Sequence, residues 1–165
     1  MKRFMKIISI ILILLLTCGC RAQTEGDTLH AFTERINNLS DTYQLDENGY
    51  ILDKNERTLS RFYKFDENEI LLRFRTDENN KLYEMSLVFN EICVEKTQEI
   101  NFIENCLTAY IDDETTQKKL YSKTELEKAL KTKSNKTQKT KSGDTEFLLD
   151  VTDYGIVITV VKNNL

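Results

Sequence analysis

Two apolar runs joined by a short polar turn constrain this chain more than any other feature. Residues 69–76 and 81–89 alternate apolar and polar side chains on either side of Asp77-Glu78-Asn79-Asn80, the period of a half-buried strand. A four-residue loop there pairs Phe74 with Tyr83, Leu72 with Met85 and Ile70 with Leu87 on one face. The other face then sets Arg73 against Glu84, an opposite-charge pair. A slip of one residue would carry Arg73 into the apolar row, so the pattern specifies which face is buried. An antiparallel sheet with one covered face is the expectation.

The rest of the chain fits around that hairpin. Leu29, Phe32, Ile36 and Leu39 recur at helical spacing, with Asp27 or Thr28 available as N-cap. From Tyr43 the period changes to two, and Asn48-Gly49 between Leu45 and Leu52 predicts a tight hairpin turn, since both residue types tolerate positive φ. Residues 58–65 read as a strand followed by a turn at Asp66-Glu67-Asn68. Ile100, Ile103, Leu107, Tyr110 and Ile111 mark a helix over 97–112, and Ser122 with Glu125 has the spacing of a capping box opening a helix over 122–131. A closing hairpin around 152–155 sets Val151 against Ile156, Leu149 against Ile158 and Phe147 against Val160. Its other face still holds Leu148, Val157 and Val161, which predicts a central place in the sheet or one beneath a helix. The expected fold is α+β: a single domain over 28–165, with a mostly antiparallel sheet of six to seven strands and two or three helices, in the order α-β-β-β-β-β-α-α-β-β.

The first twenty residues carry a different kind of information. Lys2, Arg3 and Lys6 precede the apolar run Ile7-Ile8-Ser9-Ile10-Ile11-Leu12-Ile13-Leu14-Leu15-Leu16. That run matches the core of a signal peptide and falls short of the roughly 18 to 20 apolar residues of a spanning helix. Thr17-Cys18-Gly19-Cys20 follows, and the sequence turns polar. This segment resembles the lipobox of bacterial lipoproteins, in which a small residue precedes a Cys that becomes acylated and then N-terminal. Gly19-Cys20 fits that pattern, with Thr17 where Leu is usual; Cys18 is the alternative, keeping the Leu but placing Thr in the small position. The resemblance implies a signal peptide over 1–19, a lipidated tether over 20–27, and a domain held at the extracytoplasmic side of the cell membrane. It covers residues 1–20 only. One acyl chain holds a protein marginally; the family's anchor carries at least two, which implies firm tethering.

Charge narrows the function classes. With 23 Lys+Arg against 27 Asp+Glu, a net charge of −4 and a pI near 5.2, the chain has no positive field to hold nucleic acid. The charge is unevenly placed: residues 20–130 hold 14 basic and 23 acidic side chains, whereas 131–141 hold Lys131, Lys133, Lys136, Lys139 and Lys141 with no acid. Residues 131–143, low in complexity and without an apolar side chain, read as a flexible cationic loop. Such a loop suits anionic lipid head groups or an acidic protein partner.

No catalytic or cofactor motif emerges. The one histidine, His30, lies on the first helix without a nucleophile signature beside it, and reads as a partly exposed helix residue. Cys93 and Cys106 allow a disulfide outside the cytoplasm, or two buried thiols. The acid-rich turns at 46–47, 66–67, 77–78 and 112–114 lack the oxygen-ligand spacing of a calcium loop: counting from Asp46, Tyr50 holds the fifth position and Ile51 the sixth. They read as turns stabilised by their own side chains, so no metal is expected. Arg61, Tyr63, Arg73 and Arg75 lie on adjacent expected strands, and these residue types are enriched in binding hot spots. The expectation is a lipid-anchored protein-binding module without enzymatic activity or cofactor, of an inhibitor or immunity kind, facing an extracytoplasmic protein partner. An accessory component of a membrane or wall complex is the alternative, followed by a wall hydrolase using a carboxylate pair.

Overall fold

A computed structural model describes residues 27–65, 68–90, 97–122, 126–128 and 135–163. Helix α1 (Leu29–Leu39) opens where the Thr28 hydroxyl accepts from Ala31 N at 3.2 Å. Four strands follow: β1 (Ile51–Asp53), β2 (Thr58–Phe65), β3 (Asn68–Thr76) and β4 (Leu82–Phe89). Helices α2 (Thr97–Ile111) and α3 (Glu114–Leu120) then lead to β5 (Lys136–Ser142), β6 (Thr145–Thr152) and β7 (Gly155–Lys162). The strands form one seven-stranded antiparallel sheet in the order β1-β2-β3-β4-β7-β6-β5. Two meanders, β1–β4 and β5–β7, thus join along β4 and β7. The fold is α+β, as expected.

Every helix among the described residues packs on one face of this sheet. Phe32 and Ile36 from α1, Phe102, Ile103, Cys106, Leu107 and Tyr110 from α2, and Leu120 from α3 form one buried cluster with Ile70, Leu72, Phe74, Met85, Leu87, Phe147, Leu149, Ile158 and Val160. Phe74 meets Phe32 edge-on at 4.8 Å between centroids, and Phe102 meets Phe65 at 5.3 Å. Arg35 closes the end of α2, donating from Nε to Ala109 O at 2.7 Å and pairing with Asp112 at 3.2 Å. The last carbonyls of a helix lack intrahelical partners, and this side chain supplies one.

The closing hairpin has the expected pairs, Val151–Ile156, Leu149–Ile158 and Phe147–Val160, and β7 is central. Gly155 makes that placement possible: its φ is +152°, and a Cβ there would stand 2.8 Å from the Phe89 carbonyl on β4.

Elsewhere the structure corrects the reading. The β3–β4 register is two residues away from the simple four-residue loop, with Phe74 opposite Met85 and Leu72 opposite Leu87. Asp77 explains the first residue of the shift, since its N–H donates to Lys81 O and its carboxylate accepts from Asn79 N and Lys81 N, which draws Lys81 into the turn. A bulge between Arg75 and Thr76 explains the second. Two residues preserve the alternation, so the apolar row stays apolar and Arg75 rather than Arg73 lies directly opposite Glu84.

Asn48-Gly49 does not turn a hairpin. It belongs to a short 3-10 segment, Glu47–Gly49, capped by the Asp46 side chain. The Arg61 guanidinium occupies the space that a Cβ at residue 49 would need, and donates to Asp46 O at 2.6 Å. The β1–β2 turn instead lies at 54–57, with Arg57 at φ 52°. The region 131–143 is not a loop throughout, because Lys136–Ser142 form the edge strand β5. Helix α3, absent from the expected order, begins where the Asp113 carboxylate accepts from Thr116 N at 2.7 Å. Of the helix expected at 122–131, residues 126–128 are helical, Leu126 is buried and its N–H donates to Ser122 O at 2.9 Å, while 123–125 and 129–131 lie outside the described residues.

Candidate functional site

Strand alternation decides which side chains face the helices and which face away. Leu59, Arg61, Tyr63 and Phe65 lie opposite Phe74, Leu72, Ile70 and Asn68, on the helix side. Thr58, Ser60, Phe62 and Lys64 lie opposite Arg75, Arg73, Leu71 and Glu69, on the other. The four residues expected to form one binding surface are therefore split between the two faces. Arg61 lies over the Tyr63 and Tyr50 rings, 5.2 and 5.9 Å from their centroids, and holds the 3-10 segment. Tyr63 bonds through its hydroxyl to that of Tyr50 at 3.1 Å, and burial pushes its pKa up to about 12. These two residues belong to the framework.

Arg73 and Arg75 remain on the other face, which no described helix covers. Both reach one carboxylate: Arg73 Nη2 lies 4.0 Å from Glu84 Oε1, and Arg75 Nη1 lies 3.6 Å from Oε2. Ser86 lies beside Arg73 and Thr159 beyond it in the same row, and the two hydroxyls stand 3.2 Å apart. Among the described residues the Nε of each arginine is buried without a hydrogen-bond partner, so two guanidiniums share one anion and keep donor capacity unused.

Beside this polar patch runs an apolar stripe. Phe62 faces Leu71, Leu71 faces Val88, and Val88 faces Val157, giving one row across β2, β3, β4 and β7. Phe62 is 55% exposed, and Tyr154, at the tip of the β6–β7 turn, is 98% exposed. A shallow hollow of about 430 Å³ lies between them, lined by Leu71, Val88, Val157 and Glu69 among others. Composition could not reveal this row, because these residues read as core candidates until the register assigns them a face. The alternation in residues 58–65 did carry the signal, since Leu59, Tyr63 and Phe65 share one parity and Phe62 has the other.

The chain enters the described fold at the far end of the sheet. Leu82 N donates to Asp27 O, and Lys162 pairs with the Asp27 carboxylate. Leu82 begins β4 and Val88 stands near its end, about 20 Å away at 3.4 Å per residue.

Cys106 is a fully buried thiol, free among the described residues, and burial raises its pKa. Cys18, Cys20, Cys93, Lys131 and Lys133 lie outside the described residues. Lys136, Lys139 and Lys141 are exposed on β5, where Lys139 pairs with Glu146 at 2.7 Å. His30 is half exposed on α1, with Nδ1 2.6 Å from Glu47 and Nε2 3.6 Å from Glu34. Glu34 and Glu47 line a second hollow, about 470 Å³, together with Thr33, Asn37 and Asp46. Asp77 and Asp113 bind backbone N–H groups of their own turns, as turn-forming carboxylates do. Among the described residues no group of three or more His, Cys, Asp or Glu is placed to hold a metal, and no helix is long and apolar enough to cross a membrane. Set against protein-family models, curated proteins and solved structures, the chain matches none of them.

Proposed function

We propose that this chain is a lipid-anchored, extracytoplasmic protein-binding module that receives its partner on the uncovered face of the sheet. The observation that carries the reading is the row Phe62–Leu71–Val88–Val157, which shares a hollow with the exposed Tyr154, on a face that no described helix covers. A contiguous apolar row rimmed by polar groups is typical of an interaction site, and aromatic residues with Arg dominate binding energies at such sites. Arg73 and Arg75 supply the polar rim. Two further observations support the reading. The sequence around Cys20 resembles a lipobox, and Asp27 lies at the end of the sheet opposite Tyr154. A tether there presents the apolar row away from the membrane. An inhibitor or immunity-type protector needs only this much: a compact domain, a firm anchor and one specific surface.

The test uses the anchored protein and three variants. Phe62→Asp should abolish a stoichiometric complex recovered from envelope extracts while the melting temperature stays unchanged. Glu34→Lys, on the helix side, should leave the complex intact. Cys20→Ala should release the protein from the membrane or stall its processing. Equal recovery with Phe62→Asp would overturn the face assignment, and full membrane retention of Cys20→Ala would overturn the anchor.

A further inference from the structure

The cationic segment that sequence alone makes a loop is the outermost strand of the sheet, and among the described residues β5 has one strand neighbour, β6. The turn at Gly143-Asp144 has two residues, with Gly143 at φ 58°, so it closes on the hydrogen-bonded pair Ser142–Thr145. Hydrogen-bonded and non-bonded pairs alternate along an antiparallel ladder. Thr140, Gln138 and Lys136 therefore bond to β6, while Thr137, Lys139 and Lys141 turn their N–H and C=O groups outward. Those three residues are exposed, with side chains on the uncovered face of the sheet. Thr137 donates to Asp150 at 2.7 Å and Lys139 pairs with Glu146, but Lys136 and Lys141 make no ion pair among the described residues.

We propose that β5 is a docking edge for an extended acidic segment of another protein, which adds to the sheet as an eighth strand. Backbone groups would supply the pairing and the lysines the selection, as in other cases of strand addition. A second copy of this chain is the wrong occupant. Self-pairing would bring six lysines and no acid from the two strands onto one seam, and centred on Lys139 it sets that residue against its own copy. Like charges directly opposite are destabilising, and lysines on an edge strand are a known guard against self-association. An incoming strand with Asp or Glu at alternate positions meets the opposite condition. The far edge of the sheet, β1, has three residues and offers little to pair with. This site is separate from the apolar row and does not depend on the partner proposed for it.

The probe is a synthetic eight-residue peptide alternating Glu and Val, with a Lys and Val peptide as control, titrated against the full chain in detergent. The acidic peptide should bind, slow hydrogen exchange at the amides of Thr137, Lys139 and Lys141, and weaken as salt rises. The Lys peptide should not bind. Reversing Lys136, Lys139 and Lys141 to Glu should weaken the acidic peptide at least about tenfold, roughly what one or two lost opposite-charge pairs would give. Lys141→Glu alone, at a site without an ion pair, should weaken it about threefold and guards against a folding defect in the triple variant. Phe62→Asp should leave peptide binding unchanged. Absence of binding at millimolar peptide, binding without protection of those three amides, or equal binding after charge reversal would each overturn the proposal.

Discussion

Leu71 and Leu72 are neighbours on β3, yet they belong to different parts of the molecule. Leu72 is fully buried between the sheet and the helices, while Leu71 lies half-exposed in the open row beside Phe62 and Val88. The same holds for Arg73 and Phe74 one step further along. A strand presents alternate residues to opposite faces, so a single backbone segment serves two environments without compromise. The covered face gathers the aromatic and aliphatic side chains that oppose the chain's conformational entropy. The open face carries two arginines on one carboxylate, small hydroxyls and an apolar row, which contribute less to stability and are free to be used. Stability and recognition are thus separated by parity along the strand rather than by distance.

The strongest way to break that comparison is to truncate both leucines. Leu72→Ala should cost about 3–5 kcal/mol, because the helices cannot close over the cavity, whereas Leu71→Ala should cost less than about 1 kcal/mol. Urea unfolding of the two variants checks this, and equal losses would mean that the second face is covered after all. Cys106→Ser probes the covered face with a smaller change. The thiol is fully buried and free among the described residues, so a hydroxyl in its place loses its solvation and should cost about 1–3 kcal/mol.

Much of this arrangement is legible in the sequence, and the exceptions have physical causes. The β6–β7 pairs follow directly from alternation because no residue there is inserted or bulged. The β3–β4 register does not, since one turn residue and one bulged residue leave the pattern unchanged while moving every partner by two. Strand β5 escapes because an edge strand needs few apolar side chains: its outward residues meet water, and KTQKTKS reads as a solvated loop. Helix α3 escapes for a related reason, burying Leu120 as its one apolar anchor. For the site, adjacent strands do not imply a shared face: parity divides Arg61 and Tyr63 from Arg73 and Arg75. Arg61 and Tyr63 share parity with Leu59 and Phe65, which places them with the helices.

The polar half of the open face can be tested through Glu84. Its carboxylate is the shared partner of Arg73 and Arg75, both about two-fifths exposed. Glu84→Gln should lower stability by about 1 kcal/mol or less, given the exposure of both partners. The same change leaves two unpaired guanidiniums on the face, so it should strengthen capture of any partner that presents a carboxylate there. A loss as large as that of Leu72→Ala would assign the arginines to the framework and undo the separation of the two faces.

The smallest effect is expected on the helix side, at the cap of α3. Hydrogen bonding from Thr116 holds the Asp113 carboxyl below its usual range, and this group lies at the surface. A carboxyl with a lowered folded pKa contributes stability above its unfolded pKa and loses it as pH falls toward the folded value. Asn caps a helix about as well as Asp but does not titrate. Asp113→Asn should therefore leave the melting temperature unchanged at neutral pH and reduce its decline on acidification. Asp77, lowered chiefly by the backbone hydrogen bond from Lys81, stays in place and keeps part of that decline. If the variant loses stability at neutral pH by as much as a core truncation, α3 holds β5 and β6 through its cap rather than through Leu120.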